Sequence, residues 1–143
     1  MKFIIDNLGL IIPATIALIS GSLLFWPMMR DRGPKASPLQ TTQFINQGKT
    51  LILDIRPAAQ FAEGHLRDAR NIPFEELEKR LGELNKAKNK TIIVVCQTGA
   101  QSSKAVPKLL AAGFAQTYRL EGGLAAWQAQ SLPLIKENRA VAA

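Results

Sequence analysis

The sequence predicts an α/β fold, in which helices sandwich a mainly parallel sheet, preceded by one transmembrane helix. Two observations lead to this prediction. Short apolar runs rich in β-branched residues alternate with segments of helical periodicity, which is the pattern of strand–helix–strand units. Ahead of them lies a stretch of 22 residues, Leu8 to Met29, without a single charge. About 20 such residues in a helix span the hydrocarbon layer of a bilayer.

The apolar stretch is predicted to be a retained membrane anchor rather than a cleaved signal peptide. It exceeds the roughly 7–15 apolar residues of a signal peptide, and no small-residue cleavage site of the A-x-A type follows it. Pro13 and Pro27 lie near its ends, where a lost helical hydrogen bond costs least. A core helix this long and uncharged would be unusual in a small soluble domain. We therefore expect residues 8–29 to cross the lipid bilayer, within an anchor of residues 1–30.

The charges on either side of the anchor predict its orientation. Lys2 is the one basic residue before the apolar stretch and Asp6 offsets it, whereas Arg30, Arg32 and Lys35 follow the stretch closely. Positive charge stays on the cytoplasmic side of a membrane. The sequence thus predicts a single-pass protein of the inner (cytoplasmic) membrane, with its soluble domain facing the cytoplasm.

The chain beyond the anchor divides into three parts. Residues 31–36 form a predicted polar linker, broken by Gly33 and Pro34. Residues 37–135 contain the alternating strands and helices and form the predicted domain. Residues 136–143 are left as a tail.

Composition excludes several classes of protein. Of the 143 residues 47% are hydrophobic, so the chain does not have the composition of a disordered protein despite its net charge of +7. One cysteine, Cys96, and one histidine, His65, allow neither an intrachain disulfide nor a Cys/His metal cluster. There is no Gly-rich dinucleotide turn and no P-loop, so we expect no cofactor. The scattered basic residues lack interleaved aromatics, which argues against nucleic-acid binding.

The order of elements in the domain follows from periodicity and breakers. A capping box at residues 37–40, with proline at the first helical position, predicts a helix that ends near Gln47, before Gly48. The further predicted helices are 58–63 (a short turn), 74–84, 100–112 and 124–130. The predicted strands are 51–55, 71–72, 91–95 and 117–120. Leucines and a phenylalanine at helical spacing support the helix over 74–84, and a polar loop is predicted over 85–90.

Cys96 is the candidate nucleophile. It directly follows the predicted strand 91–95 and opens a short loop that leads into a helix. Unpaired N–H groups of such a loop and first helical turn point toward the sulfur, and the positive end of the helix dipole favours the thiolate. Gly99 permits the tight curvature, and the hydroxyls of Thr98 and Ser102 can donate hydrogen bonds to an anion or a sulfur adduct. The alternative is that Cys96 is a small buried hydrophobe, but its position between strand and helix favours the reactive role.

Four motifs in order resemble those of one protein family. They comprise a strand ending in Asp-x-Arg, a Gly-His motif with the segment after it, a C-x-x-G-x-x-S loop and a C-terminal Gly-Gly signature. In this chain they are residues 51–56, 61–73, 96–102 and 121–127. Residues 37–135 thus resemble a single rhodanese (sulfurtransferase) domain, and the layout resembles the membrane-anchored, single-domain bacterial members. The resemblance implies a three-layer rhodanese-like sandwich.

The resemblance also implies a chemistry and a set of site residues. Cys96 would carry sulfane sulfur as a persulfide between a sulfane-sulfur donor and a thiol or protein acceptor. The substrate-binding loop would be Gln97, Thr98, Gly99, Ala100, Gln101 and Ser102. Asp54 and Arg56, at the end of a strand, are expected to brace the neighbouring loops, because buried charges are usually paired. The resemblance gives His65 a structural role.

The chain departs from the family pattern at several positions. Many active members carry Arg at one or both of the positions of Gln97 and Gln101, so the loop here lacks a fixed positive charge. Asp68 stands where the family often has Gly, at a position that asks for unusual backbone angles. Pro107 falls within the helix after the loop, where its missing N–H predicts a kink or a lost hydrogen bond near Ser103.

Two other functions compete with sulfur transfer. A phosphatase or arsenate reductase with a cysteine at a similar position needs Arg six residues after it to clamp an oxyanion, and Ser102 occupies that position. The second alternative is a membrane-tethered rhodanese-fold interaction module with little or no turnover, which the two loop glutamines favour. The sequence identifies neither the physiological donor and acceptor nor the pathway and oligomeric state.

Overall fold

The strands of the structure form from the apolar runs of the sequence. The computed structural model describes residues 33–136, and its strands are β1 (Lys35–Ala36), β2 (Thr50–Asp54), β3 (Arg70–Asn71), β4 (Thr91–Val95) and β5 (Thr117–Leu120). They form one sheet in the order β1-β5-β4-β2-β3, and every neighbouring pair is parallel. The α/β fold with a parallel central sheet is therefore confirmed.

Helices cover both faces of this sheet. The α-helices are α1 (Pro38–Asn46), α2 (Ala58–Glu63), α3 (Ser102–Ala111) and α4 (Gly123–Ala129), and two 3₁₀ helices are formed by Phe74–Glu76 and Leu81–Ala87. Ile92 and Val94 of the central strand pack in one core with α3, whereas Ile93 and Val95 pack in a second core with α1 and α4. Because β4 is buried on both faces, its sequence is a continuous apolar run rather than an alternating one.

The first helix begins as the capping box predicts. The N–H of Gln40 donates to Oγ of Ser37 at 3.2 Å, and the N–H of Ser37 donates to Oε1 of Gln40 at 3.0 Å. Two N–H groups that have no partner within the helix are thereby satisfied, and such a cap stabilises a helix by about 1 kcal/mol. The helix ends at Asn46, and Gly48 follows with φ +80°.

The predicted α-helix over residues 74–84 is wrong. The segment forms two 3₁₀ helices separated by a turn, and the second one continues into the predicted polar loop as far as Ala87. Leu84 and Ala87 are buried, and Leu81 packs against the core that contains Leu84. The side chains that point inward are therefore three residues apart. Three residues per turn is the period of a 3₁₀ helix, and spacings of three and four do not separate it from an α-helix over so short a segment.

The predicted strands 51–55 and 71–72 and the predicted helix 124–130 are each shifted by one residue in the structure, and two further boundaries differ by two residues. Lys35 and Ala36, assigned to the linker, pair with β5 and form the edge of the sheet. The helix after Cys96 begins at Ser102 rather than at residue 100, because the preceding residues form the loop around the sulfur. This helix continues across Pro107, whose side chain is exposed.

The predicted membrane anchor lies outside the described residues, as do residues 31–32 of the linker and residues 137–143 of the tail. Within residues 33–136 no helix has the length and apolarity to cross a membrane.

Asp68 has the unusual backbone angle that its sequence position suggested. Its φ is +59° and its side chain is almost fully exposed. Its Oδ2 lies 3.8 Å from Nε of Arg67, whose side chain is also largely exposed. An exposed ion pair of this kind contributes little to the stability of a protein. The backbone angle therefore determines how a substitution of Asp68 changes stability. Asp tolerates this conformation better than most residues, and Gly adopts it without steric cost.

We predict that Asp68→Gly is more stable than Asp68→Ala by about 1 kcal/mol, because alanine gains no local hydrogen bond to offset the left-handed backbone. Thermal unfolding of the two variants and the wild type in one buffer measures the difference. Equal midpoints for the glycine and alanine variants would show that this turn relaxes to an ordinary conformation.

Candidate active site

Cys96 lies at the carboxyl end of the central strand β4. It is 2% exposed, and it belongs to the same core as Ile92 and Val94 on the α3 side of the sheet. The chain then curves through residues 97–101 before α3 begins at Ser102. A buried strand therefore fixes the cysteine, and the following loop encloses its sulfur.

Two groups of the loop contact the sulfur directly. The N–H of Gly99 donates to Sγ of Cys96 at 2.9 Å, and Oγ of Ser102 lies 3.4 Å from Sγ. The Ser102 hydroxyl also donates to the carbonyl oxygen of Gly99 at 3.0 Å, so it accepts from the thiol in this arrangement. Rotation of the hydroxyl would redirect its hydrogen toward a thiolate, which accepts but does not donate. The sulfur can thus be stabilised both as thiol and as thiolate.

Three other backbone N–H groups of the loop make no hydrogen bond within the described part of the chain. They are the N–H groups of Thr98, Ala100 and Gln101. Such groups at a tight loop and helix start favour a negative charge. The loop therefore offers donors for a second sulfur atom on Cys96 or for an anionic leaving group.

Two glycines determine the curvature of the loop, one within it and one packed against it. Gly99 has φ +91°, a conformation that side chains disfavour. Gly123, with φ +62°, packs so closely that a Cβ there would lie 2.6 Å from the carbonyl oxygen of Cys96 and 2.7 Å from the nitrogen of Gly99. The N–H groups of Leu124 and Ala125 donate to the carbonyl oxygens of Cys96 and Gln97 at 2.8 and 3.1 Å. The start of α4 thus supports the loop from behind.

Asp54 and Arg56 form a buried ion pair at the end of the neighbouring strand. The guanidinium donates to the carboxylate through Nε at 3.0 Å and through Nη2 at 2.7 Å, and Nη2 also donates to the carbonyl oxygen of Gly64 at 2.7 Å. Removal of one partner of such a buried pair destabilises a protein strongly, because the other charge is left buried and unpaired. The pair ties the end of β2 to the turn after α2.

His65 makes contacts that hold the chain rather than reach the sulfur. Its ring stacks on Phe61 with centroids 3.9 Å apart, and its Nδ1 donates to the carbonyl oxygen of Phe61 at 2.8 Å. Its backbone exchanges two hydrogen bonds with Ile135, at 2.8 and 2.9 Å. These contacts attach the C-terminal residues to the turn that follows α2.

The two loop glutamines lie in different surroundings. Gln97 lines a cavity of about 340 Å³ with Arg56, in which polar and apolar surface are present in similar amounts, whereas Gln101 lines a mainly apolar cavity of about 210 Å³ that includes Phe74. Thr98 is exposed, and its hydroxyl has no hydrogen bond to a described residue. Among residues 33–136, no three His, Cys, Asp or Glu side chains are grouped as a metal site would require.

Most of the domain matches a known family in sequence. A family model described as Rhodanese-like domain matches residues 37–130. The chain belongs to the rhodanese-like domain family.

The chain is also similar to individual proteins. The protein YibN of Escherichia coli (strain K12) is 36% identical over 98 residues, which make up 68% of each chain. A sulfurtransferase of Allochromatium vinosum is 32% identical over 85 residues, covering 59% of this chain and 78% of that protein. The solution structure of the rhodanese-like domain of the Anabaena protein Alr3790 gives a TM-score of 0.64 at 31% identity, covering 78% of this chain and 86% of that domain.

Sequence reasoning missed two components of this rhodanese-like site. It assigned no role in the active loop to Gly123, although the Gly122-Gly123 pair was visible as a motif. It also treated Lys136 as the start of a tail, whereas Lys136 lines the cavity beside Gln97. No local pattern signals that second position, because the chain reaches it only through the backbone pairing of His65 with Ile135.

We predict that Gly123→Ala slows sulfur uptake by Cys96 by about 10- to 100-fold, since displacement of a reacting group by about 1 Å has an effect of that size. The added Cβ forces the backbone of residues 96–99 to move, because nothing at that contact is a flexible side-chain end. The measurement is the rate of persulfide formation on Cys96 with one fixed donor.

Gly48→Ala is the matched control for this substitution. Gly48 has φ +80°, and a Cβ there would meet nothing within 4 Å, so the control shares the backbone strain without the clash. It should lower stability and leave sulfur uptake unchanged. Equal uptake rates in both variants would mean that the Gly123 contact does not shape the loop.

Proposed function

We propose that this protein is a membrane-anchored sulfurtransferase that moves sulfane sulfur through a persulfide on Cys96. The observation that carries the proposal is the enclosure of Sγ by the loop, with the Gly99 N–H at 2.9 Å and the Ser102 hydroxyl at 3.4 Å. The relative from Allochromatium vinosum that is named a sulfurtransferase supports it. Covalent catalysis of this kind needs a stabilised thiolate and a place to hold the adduct.

The proposed reaction balances without an external oxidant. The Cys96 thiolate attacks the outer sulfur of a persulfide R–S–SH, the S–S bond of the donor breaks, and R–S⁻ leaves with the bonding electron pair. Cys96 then carries the outer sulfur as a persulfide with its proton. In the second half, an acceptor thiolate attacks that outer sulfur and the Cys96 thiolate leaves.

The charge near the loop favours a persulfide donor over thiosulfate. In thiosulfate the sulfonate is bonded directly to the sulfur that moves, so its charge must lie within the loop. Gln97 and Gln101 supply amides there instead of guanidinium groups. Helix-terminal amides contribute about 0.3–1 kcal/mol toward binding a charge at an exposed site, whereas a hydrogen bond to a charged group contributes about 1.5–3 kcal/mol.

We also propose that the protein is anchored in the membrane by a single span. The uncharged stretch of residues 8–29 and the basic residues after it support a single span with the rhodanese-like domain in the cytoplasm. The anchor would keep the sulfur carrier next to the bilayer, where donors or acceptors bound to the membrane can reach it.

We predict that the wild-type protein loads sulfur from a small-molecule persulfide faster than from thiosulfate. Gln97→Arg or Gln101→Arg should raise kcat/KM for thiosulfate by about tenfold each, because each adds one charge-assisted hydrogen bond. The same variants should change persulfide use much less. The measurement is a comparison of donors at fixed ionic strength, with Cys96→Ser as the variant that takes up no sulfur.

Two outcomes would contradict this account. Rapid turnover of thiosulfate that the added arginines do not change would show that the backbone N–H groups of the loop bind its sulfonate without a cationic side chain. No sulfur on wild-type Cys96 from any donor would instead support the interaction module, and a Cys96→Ser chain would then function as well as the wild type in cells.

We predict that the full chain remains in membranes after a carbonate wash, because the span of residues 8–29 is integral rather than peripheral. A reporter fused after Ala143 should behave as a cytoplasmic protein. A mature N-terminus beyond Met29 would contradict the anchor, and strong periplasmic reporter activity would reverse the orientation.

A further inference from the structure

The end of the sheet opposite Cys96 carries positive charge only. Because β2, β4 and β5 are parallel, their amino ends lie together, and the chain passes through this end in residues 46–50, 85–91 and 111–117. These segments contain no Asp and no Glu. They contain four lysines, all exposed, which we name the amino-end lysine cluster: Lys49, Lys86, Lys88 and Lys90.

Backbone and side-chain contacts bring the lysines of the cluster together. The N–H of Thr91 donates to the carbonyl oxygen of Lys49 at 2.9 Å, which places Lys49 beside Lys90 on the neighbouring strand. Nζ of Lys88 lies 5.7 Å from the centre of the Phe114 ring, which belongs to the turn after α3. The three segments therefore form one surface at this end of the sheet.

No acidic side chain neutralises the amino-end lysine cluster within the described part of the chain. The ion pairs of residues 33–136 include none of its lysines. Glu83, the acidic residue nearest to the cluster in sequence, is paired with Arg70 and Arg80. The like charges of the cluster thus lie together without compensation from residues 33–136, as they do on a surface that binds an anionic partner.

The short linker to the proposed membrane anchor indicates which anionic partner this surface meets. The uncharged stretch ends at Met29 and β1 begins at Lys35, so the linker between them spans at most about 20 Å. Because all strands are parallel, the chain enters β1 from the end of the sheet that carries the cluster. Anionic lipid headgroups attract lysines that lie within about 10 Å of the membrane surface. The linker is short enough to bring the cluster into that range.

The surroundings of the lysines favour a lipid surface over a nucleic acid. Surfaces that bind single-stranded nucleic acid combine basic side chains with aromatic rings on which bases stack. The one aromatic residue of the three segments, Phe114, is 2% exposed. The exposed residues between the lysines are small or carry amides: Gly48, Asn89, Gly113, Ala115 and Gln116. Attraction to anionic headgroups needs only the positive charge.

We propose that the amino-end lysine cluster binds the anionic headgroups of the lipid bilayer and so orients the domain. The inference rests on the proposed membrane anchor, which keeps the domain at the bilayer. Lys90 then lies at the membrane end of β4, and Cys96 lies about 20 Å farther from the lipid, at the other end of the strand. The active loop is thereby presented to soluble partners and to the cytoplasmic parts of membrane proteins.

The test measures the acetylation rate of each exposed lysine in the full chain, by mass spectrometry. The chain is placed in lipid nanodiscs of phosphatidylcholine, with or without phosphatidylglycerol. The cluster lysines should react about fivefold more slowly when phosphatidylglycerol is present, which is the attraction expected for one lysine at an anionic surface. High salt should abolish this difference. Lys79 and Lys104 are exposed lysines outside the cluster, and their rates should not change.

A charge variant and a matched control separate the cluster from the net charge of the domain. The cluster variant carries Lys49→Gln, Lys86→Gln and Lys90→Gln. The control variant loses the same charge from exposed positions elsewhere, through Arg67→Gln, Lys79→Gln and Lys104→Gln. Lys88 remains in both variants and reports on the surface. Its protection by phosphatidylglycerol should be lost in the cluster variant and retained in the control.

Three outcomes would overturn the proposal. Equal rates for the cluster in the two kinds of nanodisc would limit the lysines to a local role, such as offsetting the dipoles of the helices that end nearby. Protection of Lys104 instead of the cluster would mean that the other end of the sheet faces the lipid. Protection of the cluster by added RNA, with none from phosphatidylglycerol, would assign the surface to nucleic acid.

A carbonate wash separates this inference from the proposed membrane anchor. A chain that the wash releases, but whose cluster is protected by phosphatidylglycerol, would retain the lipid surface and reject the anchor. A chain that stays in the membrane with an unprotected cluster would do the reverse.

Discussion

The active loop depends on one close contact between backbones. Gly123 lies against the loop where any side chain would overlap the carbonyl oxygen of Cys96 and the nitrogen of Gly99. The N–H of Leu124 then bonds to that same carbonyl oxygen. This contact holds the curve that brings the Gly99 N–H to the sulfur. The curvature of the active loop therefore depends on the start of α4 as much as on the loop itself.

The loop that follows Cys96 contains no charged side chain. The loop carries only amides and hydroxyls, whereas the cations Arg56 and Lys136 lie in the cavity beside it. Arg56 is held by its buried pair with Asp54, so its position does not depend on a ligand. A donor whose charge is bonded next to its sulfane sulfur therefore meets no cationic side chain within residues 97–102. The proposed preference for a persulfide donor over thiosulfate follows from this.

The sequence predicted the parts of the site that local patterns determine. The β-branched run of β4, the cysteine after it and the capping box of α1 are short-range features, and the structure contains each of them. The 3₁₀ helices over residues 74–87 were missed because their inward spacing also fits an α-helix. The edge strand of Lys35 and Ala36 and the place of Lys136 depend on contacts with residues distant in sequence, which no local pattern encodes.

The most direct test of the central claim is a crystal structure of the protein after reaction with a persulfide donor. One additional sulfur atom should be bonded to Sγ of Cys96 and lie inside the curve of residues 97–101. Backbone N–H groups of the loop should lie within hydrogen-bond distance of that sulfur, with Gly123 still in contact behind it. An unmodified Cys96, or an outer sulfur turned away from the loop with no N–H near it, would contradict the account.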